Sequence, residues 1–438
     1  MRMGMTSRSV LLGLVVLAGV ATAAAVAVAW RPAIDATADA PPRFDPALVA
    51  RGAQLAAIGD CAVCHVGTDG TPYAGGKPVE TPFGAVYASN ITPDRRAGIG
   101  AWSNAAFARS MTDGVDREGT HLYPAFPYNH YTRVTAPDLD AIYAFLMTRT
   151  PVPAEAPPTR LPFPFDIRAL MAGWNLLFLD HAPAPTDPAR SAEWNRGAYL
   201  VEGLGHCGAC HTPRNALGAE QTGQAYTGGL ADGWDAPGLT AASSPAAIAW
   251  TADALYTYLR HGIDDGHAAS AGPMRAVSHN LSRVSDADVR AMAVYVASMT
   301  DPGGHASSTD RATQIAQKAA AAAAPPTALQ ESEGAVIFAG AGAGCHGVGA
   351  PMMLDGRPSL ALGSSVTSPS PRNATQTILY GLQPGPGERG PYMPGFADSL
   401  TDAQLSAVLT YLRARFTDRP GWPDLDHHVR TIRQDKSS

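Results

Sequence analysis

Two pentapeptides in this chain carry the residue types that hold an iron porphyrin. Cys61-Ala62-Val63-Cys64-His65 and Cys207-Gly208-Ala209-Cys210-His211 both read C-x-x-C-H. With five cysteines and 13 histidines in 438 residues, random placement would give about 0.002 such motifs, so two are no accident. The spacing has a chemical reason. Two thiols add to the two vinyl groups of one haem, and the adjacent imidazole reaches the iron from the same side. A thioredoxin-like pair needs no trailing His and belongs in a βαβ pattern, which is missing here. A zinc knuckle would need a second ligand pair nearby. The fifth cysteine, Cys345, is also followed by a histidine, His346, but Gly342 stands where the first cysteine should be. A haem held by one thioether, a noncovalent haem and an empty domain are the alternatives. Single attachment is expected, because a well-placed methionine further on, Met393, would be needless in an empty domain.

A haem that only transfers electrons takes a second axial ligand, Met or His. Gly272-Pro273-Met274 lies 63 residues after His211, and Tyr392-Met393-Pro394 lies 47 after His346. Both read as Pro/Gly loops, where a methionine has no helical face to bury, so Met274 and Met393 are the expected ligands. The first repeat breaks the pattern: Phe126, 61 residues after His65, occupies the methionine's place and cannot ligate iron. His130 is the expected substitute. An open or water-bound iron and ligation by His121 stay as alternatives, and Met111 reads as core.

The elements that must position these groups recur three times. A helical segment with a small residue precedes each motif, at Arg51-Gly52-Ala53, Arg196-Gly197-Ala198 and Glu333-Gly334-Ala335. A capped amphipathic helix follows, opening at Thr135, Ser285 and Thr401 with Asp138, Asp288 and Gln404 at its third position. The glycine lets the two helices cross closely. Each of these capped helices carries a tyrosine, Tyr143, Tyr295 and Tyr411, which reads as core packing. The expected fold is mainly α: three tandem class I cytochrome c domains with long ordered loops, as 44 Gly and 37 Pro imply. The expected boundaries are 1–32 for a signal or membrane anchor and 45–150 for domain 1. A linker with a docking helix follows at 151–190, then domain 2 at 191–300 and a flexible linker at 301–328. Domain 3 runs over 329–418, with a tail at 419–438.

Arg2 and Arg8 precede an uncharged run from Val10 to Trp30, long enough for a bilayer span. An uncleaved anchor is expected, with cleavage near Ala21-Thr22-Ala23 as the alternative. Either way the bulk of the chain is exported, to the periplasmic side of the inner membrane. A balance of 32 basic against 38 acidic residues argues against nucleic acid.

Several strings, Thr81-Pro82-Phe83-Gly84, Ser89-Asn90-Ile91-Thr92-Pro93-Asp94, Ser191 to Tyr199, Gly203 to Pro213 and Ala271 to Met274, give the chain a wider likeness. It resembles the three-haem cytochrome c subunits of membrane-associated bacterial dehydrogenases, over nearly everything after the anchor. The Phe126 to His130 loop and Pro391 to Phe396 look more like the branch paired with molybdenum hydroxylases such as nicotinate dehydrogenase. The resemblance implies three haem c groups and electron transfer from a partner dehydrogenase, with an iron–sulfur subunit in that branch. The acceptor would be a membrane quinone or a terminal oxidase. A flavoprotein or quinoprotein alcohol, aldehyde or sugar dehydrogenase is the alternative partner. No glycine fingerprint for a nucleotide is present, so no substrate chemistry is expected on this chain. A rival reading makes an open haem one a small-ligand or peroxide site.

Overall fold

The computed structural model describes residues 43–304, 308–323, 327–347, 350, 358–383 and 391–435, with 28–37 and scattered positions from 10 to 26. About 48% of the chain is helical, against roughly 30–35% for an ordinary globular protein, and the strands form only short hairpins. Two compact units emerge. One holds the residues up to Ala56 and Cys61–Pro183; the other holds Ala57–Asp60 and everything from Ala184.

The first unit is built on α1 (Pro46–Ile58), a hairpin of β1 (Pro78–Thr81) and β2 (Gly84–Tyr87), α2 (Asn104–Asp113), α3 (Tyr128–Tyr131), α4 (Ala136–Met147) and α5 (Leu170–Phe178). The second repeats the plan. In it α6 (Ala192–Glu202) is followed by a hairpin of β3 (Gly229–Ala231) and β4 (Trp234–Ala236), then α7 (Ala252–His261), α8 (Pro273–Leu281) and α9 (Asp286–Thr300). After α10 (Ser308–Ala321) come α11 (Glu333–Ala341), α12 (Arg372–Tyr380), α13 (Asp402–Phe416) and α14 (Leu425–Asp435).

Three helix crossings, α1 with α4, α6 with α9 and α11 with α13, hold these repeats together. Each uses its glycine as expected: a Cβ on Gly52, Gly197 or Gly334 would overlap the carbonyl oxygen of Ala141, Ala291 or Ala407. The aromatic residue beside each glycine is Phe145, Tyr295 and Tyr411, four residues past the alanine in every case. Tyr143, Tyr295 and Tyr411 are all buried, as read; the Tyr143 hydroxyl donates to the Trp102 carbonyl at 2.8 Å. The expected caps also divide. The side chain of Ser285 accepts from the Asp288 amide, and Thr401 with Gln404 forms a full capping box, but Thr135 makes no such bond. Asp138 instead pairs with Arg51, as Asp288 does with Arg196.

The helix expected to dock domains, α5, lies in the first unit, where Trp174 is 6.0 Å from the Tyr128 ring and the Tyr128 hydroxyl donates to Asn175. Two boundary expectations change. The linker expected to be flexible is largely α10. Its Arg311 pairs with buried Asp264 of the second repeat, and Ala322 just beyond it joins the third repeat's core. The expected tail contains α14, whose Val429 and Ile432 are buried in that same core while Arg433 pairs with Asp402.

Arg2, Arg8 and Ala21-Thr22-Ala23 lie outside the described residues. Among the described residues no helix is long and apolar enough to cross a membrane.

Candidate functional site

Each attachment motif folds into a single helical turn. The amide of His65 donates to the Cys61 carbonyl and that of His211 to the Cys207 carbonyl, each at 3.0 Å; His346 does the same to Gly342 at 2.8 Å. One turn sets positions i, i+3 and i+4 on one face. Both thiols and the imidazole of a C-x-x-C-H motif therefore project to the same side, as attachment and ligation of one haem require.

The imidazoles are oriented from behind. His65 Nδ1 donates to the Ser89 carbonyl at 2.6 Å and His211 Nδ1 to the Pro237 carbonyl at 2.7 Å. A carbonyl only accepts, so the proton sits on Nδ1 and the Nε2 lone pair is left for a metal. Burial holds both rings below the usual histidine range, which keeps them neutral.

Asn90 sets the first acceptor, a role the sequence did not reveal. Buried beside Ser89, it donates to the carbonyls of Val152 and Ala154 at 2.7 and 2.9 Å. Its Oδ1 accepts from the Thr92 amide and hydroxyl. The loop carrying the Ser89 carbonyl is thus tied to the Pro-rich segment. The string Ser89-Asn90-Ile91-Thr92 was visible, but only the fold brings 152–154 to it.

In the second unit the predicted groups come together. Cys207, Cys210, His211 and Met274 line a cavity, and Cys345, His346 and Met393 line the same one. Its wall is largely apolar, with Trp234, Trp250 and Phe396 among the lining residues. Burial pushes the Cys207 thiol up to about 12. That group is no thiolate nucleophile, which argues against a redox dithiol. Met274 is not in a loop, as expected, but in the first turn of α8, behind Gly272, whose positive φ lets it lie against the Trp234 ring. Met393 is in extended chain, exchanging both backbone hydrogen bonds with Leu382. The donor set fits a haem: paired thiols, an imidazole with a fixed tautomer, and a thioether facing one apolar space.

The first repeat differs as expected at Phe126. Phe126 faces His65 edge-on, with ring centroids 6.5 Å apart and planes at 82°. It also packs on Tyr131 at 5.3 Å. His130 is buried on α3, 4% exposed, and it is Phe126 that stands against His65. His121 Nε2 donates to the Ala29 carbonyl at 2.9 Å, and its buried Nδ1 has no hydrogen-bond partner among the described residues. Met111 is core, as read.

No family model matches the chain. It is 45% identical over 433 residues to a nicotinate dehydrogenase subunit of Pseudomonas putida, a match covering 96% of this chain and 35% of that protein. The chain thus spans about a third of that relative's length. It is 35% identical over 385 residues to the fructose dehydrogenase cytochrome subunit of Gluconobacter japonicus, covering 84% of this chain and 79% of the relative. It is 34% identical over 411 residues to the gluconate 2-dehydrogenase cytochrome c subunit of Pantoea cypripedii, covering 89% and 90%.

Proposed function

Because the chain belongs to the cytochrome c subunits of dehydrogenases, which transfer electrons and are not the catalytic subunits, we propose that it holds three haem c groups and relays electrons from a partner dehydrogenase to a membrane quinone or a terminal oxidase. Each haem, when bound, supplies one reversible ferric–ferrous step. The chain's residues do the rest. Cys61 with Cys64, Cys207 with Cys210, and Cys345 alone anchor the groups. His65, His211 and His346 ligate the irons, the first two with the Ser89 and Pro237 carbonyls fixing the ring. Met274 and Met393 ligate from the far side, and the apolar wall excludes water and favours the ferrous state.

One observation carries this reading: the His211–Met274 and His346–Met393 groups line a single cavity. Two neighbouring haems in one apolar space form a wire rather than two isolated sites. The identity with a nicotinate dehydrogenase subunit favours a molybdenum hydroxylase with an iron–sulfur subunit as partner. A flavoprotein or quinoprotein partner is the rival, in line with the fructose, gluconate and alcohol dehydrogenase relatives. The apolar N-terminal run supports a periplasmic location at the inner membrane.

Phe126 favours a second reading at haem one. A phenyl ring supplies no iron ligand, so with Phe126 against His65 haem one would lack a second protein ligand and would take a small one where His130 does not fill that place. The test of the main reading is a pyridine haemochrome assay on purified chain with a redox titration. Three haems per polypeptide, reduced by a cognate dehydrogenase preparation, are expected; two haems, or no reduction, would overturn it.

A further inference from the structure

The third attachment turn differs from the other two by more than a missing sulfur. The crossing glycines set a common register: one helical turn past Gly52, Gly197 and Gly334 stand Ala56, Val201 and Phe338, all buried. The distance from the crossing glycine to the first position of the turn also changes: nine residues to Cys61, ten to Cys207, but eight to Gly342. In the first two repeats a left-handed residue stands directly before the cysteine, Asp60 at φ 51° and His206 at φ 37°. In the third, Ala341 is still helical and Gly342 has φ −112°, so the helix runs into the turn without that bend.

Phe338 then closes the space. A Cβ on Gly342 would stand 2.8 and 3.0 Å from Cδ2 and Cε2 of the Phe338 ring, closer than carbon atoms pack. The ring cannot easily swing away. It is 4% exposed, packed on Tyr411 at 5.4 Å and Phe416 at 5.8 Å. The Arg415 guanidinium lies 5.0 Å over it. Phe338, Gly342, Cys345, His346 and Met393 all line the same cavity.

We propose that the third site is built for a haem held by one thioether, with Phe338 filling the volume that the first cysteine's side chain takes in the other repeats. The inference rests on the three-haem reading. Attachment needs no oxidant: the Cys345 S–H and one vinyl π bond break, and a C–S and a C–H bond form. The second vinyl group keeps its double bond and meets an aromatic wall instead of a thiol.

The test uses the full haem-loaded chain, alkylated with iodoacetamide after denaturation, its modified thiols counted by mass. In the wild type no thiol is expected to react. In Gly342→Cys the introduced thiol should stay alkylatable, with the α band of the pyridine haemochrome unchanged. Replacing 338–342 by the 201–207 segment of the second repeat should consume that thiol and move the band to the blue. Should this graft fail to load haem, Phe338→Ala/Gly342→Cys makes the smaller change and should consume the thiol in part. Full consumption in Gly342→Cys alone overturns the inference, as does no consumption in both relieved variants. Cys345 found alkylated and haem-free in the wild type overturns the three-haem reading, and this inference with it.

Discussion

At the scale of single residues, the first haem site sets the sharpest test. If no side chain ligates haem one opposite His65, the reduced wild type should bind carbon monoxide at one haem per chain, and His130→Ala should leave that amount unchanged. If His130 ligates, the wild type should bind none and His130→Ala should bind one; an absorbance titration separates the two. Met274→Ala should add one further carbon monoxide equivalent in either case, because it opens haem two. A second residue carries a pH effect. Asp60 is buried and accepts from Asn280 at 2.6 Å, yet desolvation dominates and pushes its carboxyl up to about 6. Its folded pKa exceeds its unfolded one, so its contribution is intact below about pH 4 and is lost as pH rises through about 6. The loss is at most about 3 kcal/mol. Asp60→Asn should therefore raise the denaturation midpoint at pH 7.5 and change it little at pH 4.5; equal effects at both would rule out titration as the cause.

At the scale of elements, burial decides which of two matching ion pairs matters. Arg51 pairs with an Asp138 side chain only 2% exposed, whereas the Asp288 that pairs with Arg196 is 20% exposed. Removing the partner of a buried charge costs roughly 3–5 kcal/mol, and of a wetter one about 1. Arg51→Ala should thus lower the denaturant midpoint of the first repeat clearly more than Arg196→Ala lowers that of the second, each followed by its own haem's Soret absorbance. Much of this level was legible in advance. The motif, the glycine ahead of it and the helix after it recur in plain sight, because a haem domain needs a close helix crossing at a fixed place. The failures have physical reasons too. That Phe145 is the aromatic meeting Gly52 was not legible, because an aromatic at helical spacing does not announce which neighbour it meets. The C-terminal helix, with sequence Leu-Asp-His-His-Val-Arg-Thr-Ile-Arg-Gln-Asp, is so polar that its two buried positions, Val429 and Ile432, look incidental. Asn90 acts across contacts with 152 and 154 that no local pattern encodes, and the Phe338 ring, though only four residues before Gly342, is held from α13.

At the scale of the whole molecule, the second and third repeats are joined by more than chain. Asn373 on α12 accepts from the Asp235 amide and donates to the Asp235 carbonyl, at 2.9 and 2.7 Å, and Thr367 donates to the Pro245 carbonyl at 2.6 Å. With the cavity continuous across this seam, the two irons proposed for it would share one poorly screened volume. Oxidising either would add a positive charge there. For a separation of about 15 Å and an effective dielectric of about 20, two unit charges would repel by about 1 kcal/mol, or roughly 50 mV for one electron. Haems two and three should therefore titrate with negative cooperativity: even with equal intrinsic potentials, their combined curve should be broader than a one-electron Nernst wave. Removing the third haem through Cys345→Ala should sharpen haem two's wave and shift it down by about that amount, where the wild-type third haem is oxidised first. An unchanged wave would mean that the two irons do not feel each other. With the expected shift, the seam works as a capacitor, in which the first electron to arrive makes the second less welcome, and the relay hands on single electrons rather than pairs.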